Sequence, residues 1–235
     1  MTTFPTRWAP RHPDRLQLYS MATPNGQKIA IALEELELPY EPHRIDILAN
    51  DQLDPDFVAL SPNSKIPAIL DPAGPGGAPL ALAESGAILL YLADKTGRLI
   101  PPGPHARWET IQWLMFQMSA VGPFLGQFGH FFKFARGKTA DTYALDRYTK
   151  EARRLLDVLE RRLDGRAFLV GDELSIADIS TFPWVGAIDF YGGRDALGVA
   201  SLPHVGAWLE RCMSRAAVQR GLKVNRHAEG CVAER

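Results

Sequence analysis

A proline at the head of an apolar run constrains this chain more than any other feature. Residues 60–70 read Leu-Ser-Pro-Asn-Ser-Lys-Ile-Pro-Ala-Ile-Leu, a turn feeding a strand with Pro67 at its first position. Proline has no N–H to give to a ladder, so it belongs at a strand's start or in a cis turn. With a cis Ile66–Pro67 bond the N–H and C=O of Ile66 face outward unpaired, and a short extended peptide can add there as a further strand. Residues 80–92, Leu-Ala-Leu-Ala-Glu-Ser-Gly-Ala-Ile-Leu-Leu-Tyr-Leu, read as a short strand, a polar pair and an apolar helix. A helix starting at Glu84 and Ser85 offers free backbone N–H groups and a hydroxyl to an anion, and the Glu84 carboxylate to an ammonium. Together the two stretches describe a receptor for a small zwitterionic peptide with an extended middle and an α-amino-acid end.

SPNSKIPAIL and ESGAILLYLA, with TPNG at residues 23–26, resemble the cytosolic glutathione transferases. The closer resemblance is to the nu class, the bacterial branch related to the yeast nitrogen-regulator prion protein. The likeness runs from about residue 16 to 222, and the order and spacing of the motifs carry it. It implies a thioredoxin-like N-terminal domain and then an all-helical domain, an α/β plus all-α architecture. It also implies glutathione as substrate with no metal, a homodimer, and disulfide-bond reductase activity.

The order of elements agrees. Leu16–Tyr19 predicts a strand, Gly26–Leu36 a helix and Tyr40–Ile47 a second strand, hence a right-handed parallel crossover. A polar turn at 49–54, a short helix near 55–60, an antiparallel pair at 67–71 and 80–83, and a helix at 84–95 complete βαβαββα. Residues 1–15, with Pro5, Pro10 and Pro13, read as an arm draped on a partner or subunit. The thioredoxin-like domain spans 16–96, and Gly-Arg-Leu-Ile-Pro-Pro-Gly-Pro at 97–104 is a linker. The all-helical domain follows at 105–225 and a tail at 226–235. Within the helical part, Gly122-Pro123 predicts a kink or break. Ser175-Ile-Ala-Asp178 predicts a capping box with Asp in place of Glu or Gln, and losing Asp178 is expected to cost about 1 kcal/mol.

Composition excludes several classes. Apolar residues at 46%, charged residues at 23% and a net charge of −1 give no footprint for nucleic acid or an anionic membrane. No apolar run approaches the roughly 20 residues that span a bilayer, and the first residues lack the apolar core of a signal peptide. The expected location is cytoplasmic. Cys212 and Cys231 are the only cysteines and form no Cys-x-x-Cys pair, which excludes a thioredoxin-type dithiol. Cys212 reads as packed among Trp208, Leu209 and Met213, and Cys231 as exposed. Any redox thiol must therefore come from a cofactor.

A thiol with a pKa near 8.5 is only a few per cent ionised at neutral pH, and lowering it by two units needs about 2.7 kcal/mol. One or two hydrogen bonds to the anion, each about 1.5–3 kcal/mol, supply that. Thr23 and Asn25, where the first helix begins, offer a hydroxyl, an amide and the helix dipole. By residues alone Thr23–Gly26 reads first as a helix-initiating turn, since Asn is a common cap. The resemblance favours the catalytic reading, because nu-class enzymes use this Thr and Asn beside the glutathione sulfur. Tyr19 and Ser20 rank second, since other classes activate the thiol with a Tyr or Ser near this strand.

For binding, the resemblance implies pairing of the cysteinyl backbone with Ile66 beside Pro67, a γ-glutamyl end held by Glu84 and Ser85, and contacts from Lys65 and Gln52. Phe128, His130 and Lys133, past the Pro123 break, are candidates for a second-substrate pocket. No further Cys, Asp or His stands at ligand spacing from His130. Two alternatives remain: a general transferase conjugating apolar electrophiles, and a non-catalytic glutathione-binding regulatory protein.

Overall fold

The computed structural model describes residues 4–138 and 140–226. In chain order the elements are β1 (Leu16–Ser20), α1 (Pro24–Leu36), β2 (Tyr40–Arg44), a 3-10 turn at Asp51–Leu53, α2 (Pro55–Leu60), β3 (Ala68–Asp71), β4 (Leu80–Ala83) and α3 (Ser85–Thr96). The helical region comprises α4 (Pro104–Phe116), α5 (Gly122–Gly129), α6 (Tyr143–Leu163), α7 (Ile176–Tyr191), α8 (Arg194–Leu197) and α9 (Pro203–Met213), and α10 (Ala216–Gly221) follows it. The chain divides into two compact units. One runs to Gly97 and resumes at Ala216; the other is Arg98–Arg215.

The first unit is built on a four-stranded sheet in the order β2-β1-β3-β4, with β1 parallel to β2 and every other pair antiparallel. β1 is buried along its whole length. Its side chains alternate between the two faces, and Tyr19 joins Ile45, Phe57, Leu60, Ala68 and Leu70 in one apolar cluster. Pro42 lies inside β2 opposite Leu18, which an edge strand tolerates. β2 ends at Arg44 and not at Ile47. The Asp46 carboxylate accepts the Leu48 N–H at 3.0 Å, and Asp51 accepts the Asp46 N–H at 2.9 Å, so an Asx turn takes over the backbone there.

The boundary expected at 225 is corrected. α10 packs on α1, where a Cβ on Gly221 would lie 2.7 Å from the Ile31 Cα, and Arg220 Nε donates to Glu34 at 2.6 Å. This explains why Ala30, Ile31 and Leu33 are all buried on α1, although one sheet can cover only one stripe of a helix. The N-terminal arm is also corrected: from Phe4 onward it lies on its own unit, with Phe4 and Trp8 packed against the Tyr19 cluster. The predicted tail, from residue 227 on and including Cys231, lies outside the described residues.

In the second unit the expected kink at Gly122-Pro123 is a π turn. The Gly122 N–H reaches back five residues to the Gln117 carbonyl over Gln117–Val121. Pro123 has no N–H to continue the α pattern, and a widened turn is the least disruptive way to skip one bond. The capping box at α7 is present and carries more than predicted. Asp178 is fully buried and accepts from Leu169 N at 2.8 Å, Ser175 N at 3.0 Å, Ser175 Oγ at 2.8 Å and Trp208 Nε1 at 2.9 Å. Burial pushes its carboxyl above the usual range, and these donors oppose the shift.

Two predictions follow from this packing. Asp178→Ala strands buried donors, each at about 1–3 kcal/mol, so equilibrium denaturation should show a loss of about 3 kcal/mol or more, with glutathione affinity unchanged. A loss near the 1 kcal/mol of an ordinary cap would contradict it. In the first unit the Asp71 carboxyl is pushed up by burial, yet Lys95, Tyr91 and the Ala73 N–H hold it below its ordinary 3.8. Because this folded value is depressed, the contribution is present above about pH 4 and disappears as pH falls through the folded pKa. Lys95→Met should therefore lower the melting temperature at pH 7 more than at pH 3; an equal loss at both would contradict it.

Candidate active site

Strand register decides which loops meet. Tyr19 near the end of β1 pairs with Ala68 at the start of β3, and Ala68 pairs with Ala83 at the end of β4. On the other side Ser20 pairs with Arg44, where β2 ends. Four chain segments therefore leave the sheet along one edge: 21–25, 45–53, 65–67 and 84–85. These carry all eight residues expected to activate or bind glutathione.

Thr23 caps α1, its side chain accepting from the Gly26 N–H at 3.4 Å. Pro24 occupies the first helical position, where its missing N–H costs nothing, and places Asn25 in the first turn. Both Thr23 and Asn25 are half-buried. Gly26 is required because a Cβ there would lie 1.9 Å from the Met21 carbonyl oxygen. The cap and the helix-initiating turn are thus real, and they leave Thr23 and Asn25 at the positive end of a thirteen-residue helix.

The Ile66–Pro67 bond is cis. Among the described residues the N–H and C=O of Ile66 take no hydrogen-bond partner, since the ladder of β3 begins only at Ala68. The loop before it is fixed from inside: the buried Ser61 hydroxyl donates to the Lys65 carbonyl at 2.8 Å, and Ser64 turns the chain with φ 54°. Lys65 itself is exposed. Glu84, the residue before α3, has φ 67° and ψ 111°, a conformation L-residues avoid and that is retained mainly at functional sites. Gln52 sits in the middle of its 3-10 turn, its Oε1 buried with no partner among the described residues.

Two residues at this edge escaped sequence reasoning. Lys28 is 1% exposed, with its Nζ 3.4 Å from Ser85 Oγ. Burial pulls its ammonium well below the ordinary lysine range, and the Glu84 carboxylate opposes that pull. It heads the buried stripe Lys28, Ala32, Leu36 on α1, and a charged residue on such a stripe is the signal that was available. Asn225 braces the loop leading to Thr23: its Nδ2 donates to Ser20 Oγ and to the His43 carbonyl, each at 3.1 Å, and its carbonyl accepts the Ala22 N–H at 3.3 Å. No sequence signal marks it.

The second-ranked thiol partners are both buried, and the Tyr19 hydroxyl takes no hydrogen-bond partner among the described residues. Ser20 is 1% exposed and accepts from Asn225. Tyr19 is buried and stacked on His43 at 4.7 Å, and burial with the Glu41 charge pushes its phenol up, away from use as a base. In the other unit, Phe128 is fully buried, stacked on Phe132 at 5.0 Å and seated against Gly193; it backs a wall and does not face solvent. His130 and Lys133 are exposed, and Lys133 donates to the Phe190 carbonyl at 2.7 Å. Cys212 is buried. Among the described residues no cluster of His, Cys, Asp or Glu is fit to hold a metal.

An extended peptide bearing a thiol, an ammonium and carboxylates fits this donor set: one free backbone edge, a helix start with a carboxylate beside it, and hydroxyl and amide donors at a second helix start. Comparison with known proteins agrees. Residues 22–95 match the glutathione S-transferase N-terminal domain and residues 142–211 the C-terminal domain. The chain is 46% identical over 209 residues to the disulfide-bond oxidoreductase YfcG of Escherichia coli, covering 88% of this chain and 94% of that protein. A glutathione transferase of Burkholderia graminis, solved with two glutathione molecules per subunit, is 55% identical with a TM-score of 0.92 over 93% of this chain and 92% of its own. One from Pseudomonas putida, solved with one glutathione disulfide per subunit, is 51% identical with a TM-score of 0.92 over 94% and 96%. The chain belongs to the glutathione transferase family.

Proposed function

We propose that the protein is a glutathione-dependent thiol–disulfide oxidoreductase of the nu-class type, and that Thr23 and Asn25 hold the glutathione sulfur as its thiolate. The observation that carries this reading is the unpaired backbone of Ile66, on the same sheet edge as the Thr23–Asn25 helix start and the Glu84–Ser85 helix start. Ile66, beside Pro67, pairs with the cysteinyl backbone. Glu84 and Ser85 receive the γ-glutamyl end, and Lys65 and Gln52 make the remaining contacts. Lys28 holds Ser85 and offsets the Glu84 charge from beneath.

Glutathione supplies the reacting thiol: its thiolate displaces one thiolate from a disulfide, and a second glutathione releases the other half, leaving glutathione disulfide and two thiols. The protein's part is to favour the thiolate. The Asn25 amide and the Thr23 hydroxyl donate to it, and the α1 dipole adds to both. Relatives solved with two glutathiones or with glutathione disulfide support a site that serves both ends of this exchange. Within the second unit, His130 and Lys133 are exposed and Phe128 is buried, and this aromatic segment is the proposed contact for an apolar second substrate.

The cytoplasm, where glutathione is kept reduced, is the proposed location, and no described helix is long and apolar enough to cross a membrane. A homodimer is proposed on α4, where Trp108 and Met115, seven residues apart on one face, are 68% and 46% exposed.

Asn25→Ala removes a hydrogen bond to an anion, about 1.5–3 kcal/mol, so kcat/KM for glutathione-dependent reduction of a small dialkyl disulfide should fall roughly ten- to hundredfold. Conjugation of a chloronitrobenzene should be the weaker activity throughout. Strong conjugation with an indifferent Asn25 would move the assignment to a general transferase. For the dimer, sedimentation should give a two-subunit mass for the wild type and a monomer for Trp108→Glu; a monomeric wild type would contradict it.

A further inference from the structure

We infer that the N-terminal arm is a built-in part of the glutathione site, with Arg7 a positioning residue that holds the Gln52 turn while Phe4 and Trp8 pack on the apolar cluster that Ile66 also borders. This rests on the reading of Gln52 and Ile66 as glutathione contacts. The 3-10 turn carrying Gln52 begins at Asp51 and is closed by Asp54. One carboxylate at each end of so short a turn is a like-charge pair, and a cation placed between them offsets the repulsion. Arg7 spans both: Nη1 donates to Asp54 Oδ2 at 3.1 Å and Nη2 pairs with Asp51 Oδ1. A planar guanidinium can serve two carboxylates at once, which a lysine ammonium cannot do with the same geometry.

The neighbours of Arg7 fix it in place. Thr6 donates to Asp56 Oδ2 through its N–H at 2.7 Å and its Oγ1 at 2.6 Å, and the Arg7 N–H joins them at 3.3 Å. Asp56 lies in the first turn of α2. The guanidinium lies 4.7 Å from the centre of the Trp8 ring. Trp8 and Phe4 in turn pack on the cluster that Ile66 also borders. Farther along, the N–H groups of Arg11 and His12 close on the Glu41 carboxylate of β2 at 2.9 and 2.7 Å. The arm thus ties together the element before Gln52, the turn itself, the helix after it and the apolar cluster that Ile66 borders. The Arg7 side chain is 50% exposed, and exposed ion pairs contribute little to global stability. Its effect is therefore local, on where Gln52 stands.

The test uses the full chain and reads KM for glutathione, kcat and melting temperature in glutathione-dependent disulfide reduction. The variants are Arg7→Ala, Arg7→Lys, Gln52→Ala and the Arg7→Ala/Gln52→Ala double. Arg194→Ala, which removes an exposed pair with Asp189 in the other unit, is the control. Arg7→Ala should raise KM roughly two- to fivefold, with kcat and melting temperature near wild type, and Arg7→Lys should fall between the two. Because Arg7 acts through Gln52, the double variant should be no worse than Gln52→Ala alone, and Arg194→Ala should match wild type. If Gln52→Ala raises KM while Arg7→Ala does not, or if the two effects add, the inference is overturned and the Gln52 contact stands. If Gln52→Ala leaves KM unchanged, the contact and the inference fall together.

Discussion

The unpaired backbone of Ile66 is the constraint on which the proposed glutathione site rests. Pro67 gives the β3 ladder no donor, so pairing starts at Ala68, and Ile66 is left with an N–H and a C=O that find no partner among the described residues. Peptide groups near a protein interior are nearly always satisfied, so an unsatisfied pair at a sheet edge is a place for an added strand. The antiparallel register of β1, β3 and β4 then sets two helix starts on the same edge, one at Thr23 and one at Glu84. Backbone edge, positive helix ends and a carboxylate are what a thiol tripeptide with charged ends requires.

The electrostatics of that edge are deliberate in a physical sense. Lys28 is held 1% exposed, an arrangement that costs stability unless a partner offsets it. Ser85 Oγ stands 3.4 Å from its ammonium, and the field of Glu84 opposes the cost of burial. Glu84 is itself held at φ 67°. A buried lysine beside a glutamate at positive φ therefore stands at the start of α3.

Much of this was legible in the sequence because the informative residues act locally. Proline lacks its N–H whatever surrounds it, a Ser-x-x-Asp box forms within one turn, and Thr-Pro-Asn-Gly starts a helix by its own chemistry. What escaped depends on long-range contacts. Asn225 acts on Ser20 and Ala22 across most of the chain, and α10 returns to α1 through a glycine fit against Ile31 that no periodicity announces. The arm reads from sequence as draped on a partner or subunit because its prolines break any pattern; its order comes from carboxylates at 41, 51, 54 and 56. Phe128 was misjudged for a different reason. Aromatic residues of a core and of a pocket look alike until the neighbours, here Phe132 and Gly193, are known.

The central claim is that the chain provides the field and the substrate provides the sulfur. The most direct measurement is an ultraviolet titration of the thiolate of glutathione bound to the wild-type protein, with free glutathione as reference. The account predicts a bound thiol pKa about two units below the ordinary value near 8.5. It also predicts that the signal survives replacement of Cys212 and Cys231 by alanine. A bound thiol that titrates like the free one, or a signal that vanishes with the cysteines, would contradict it.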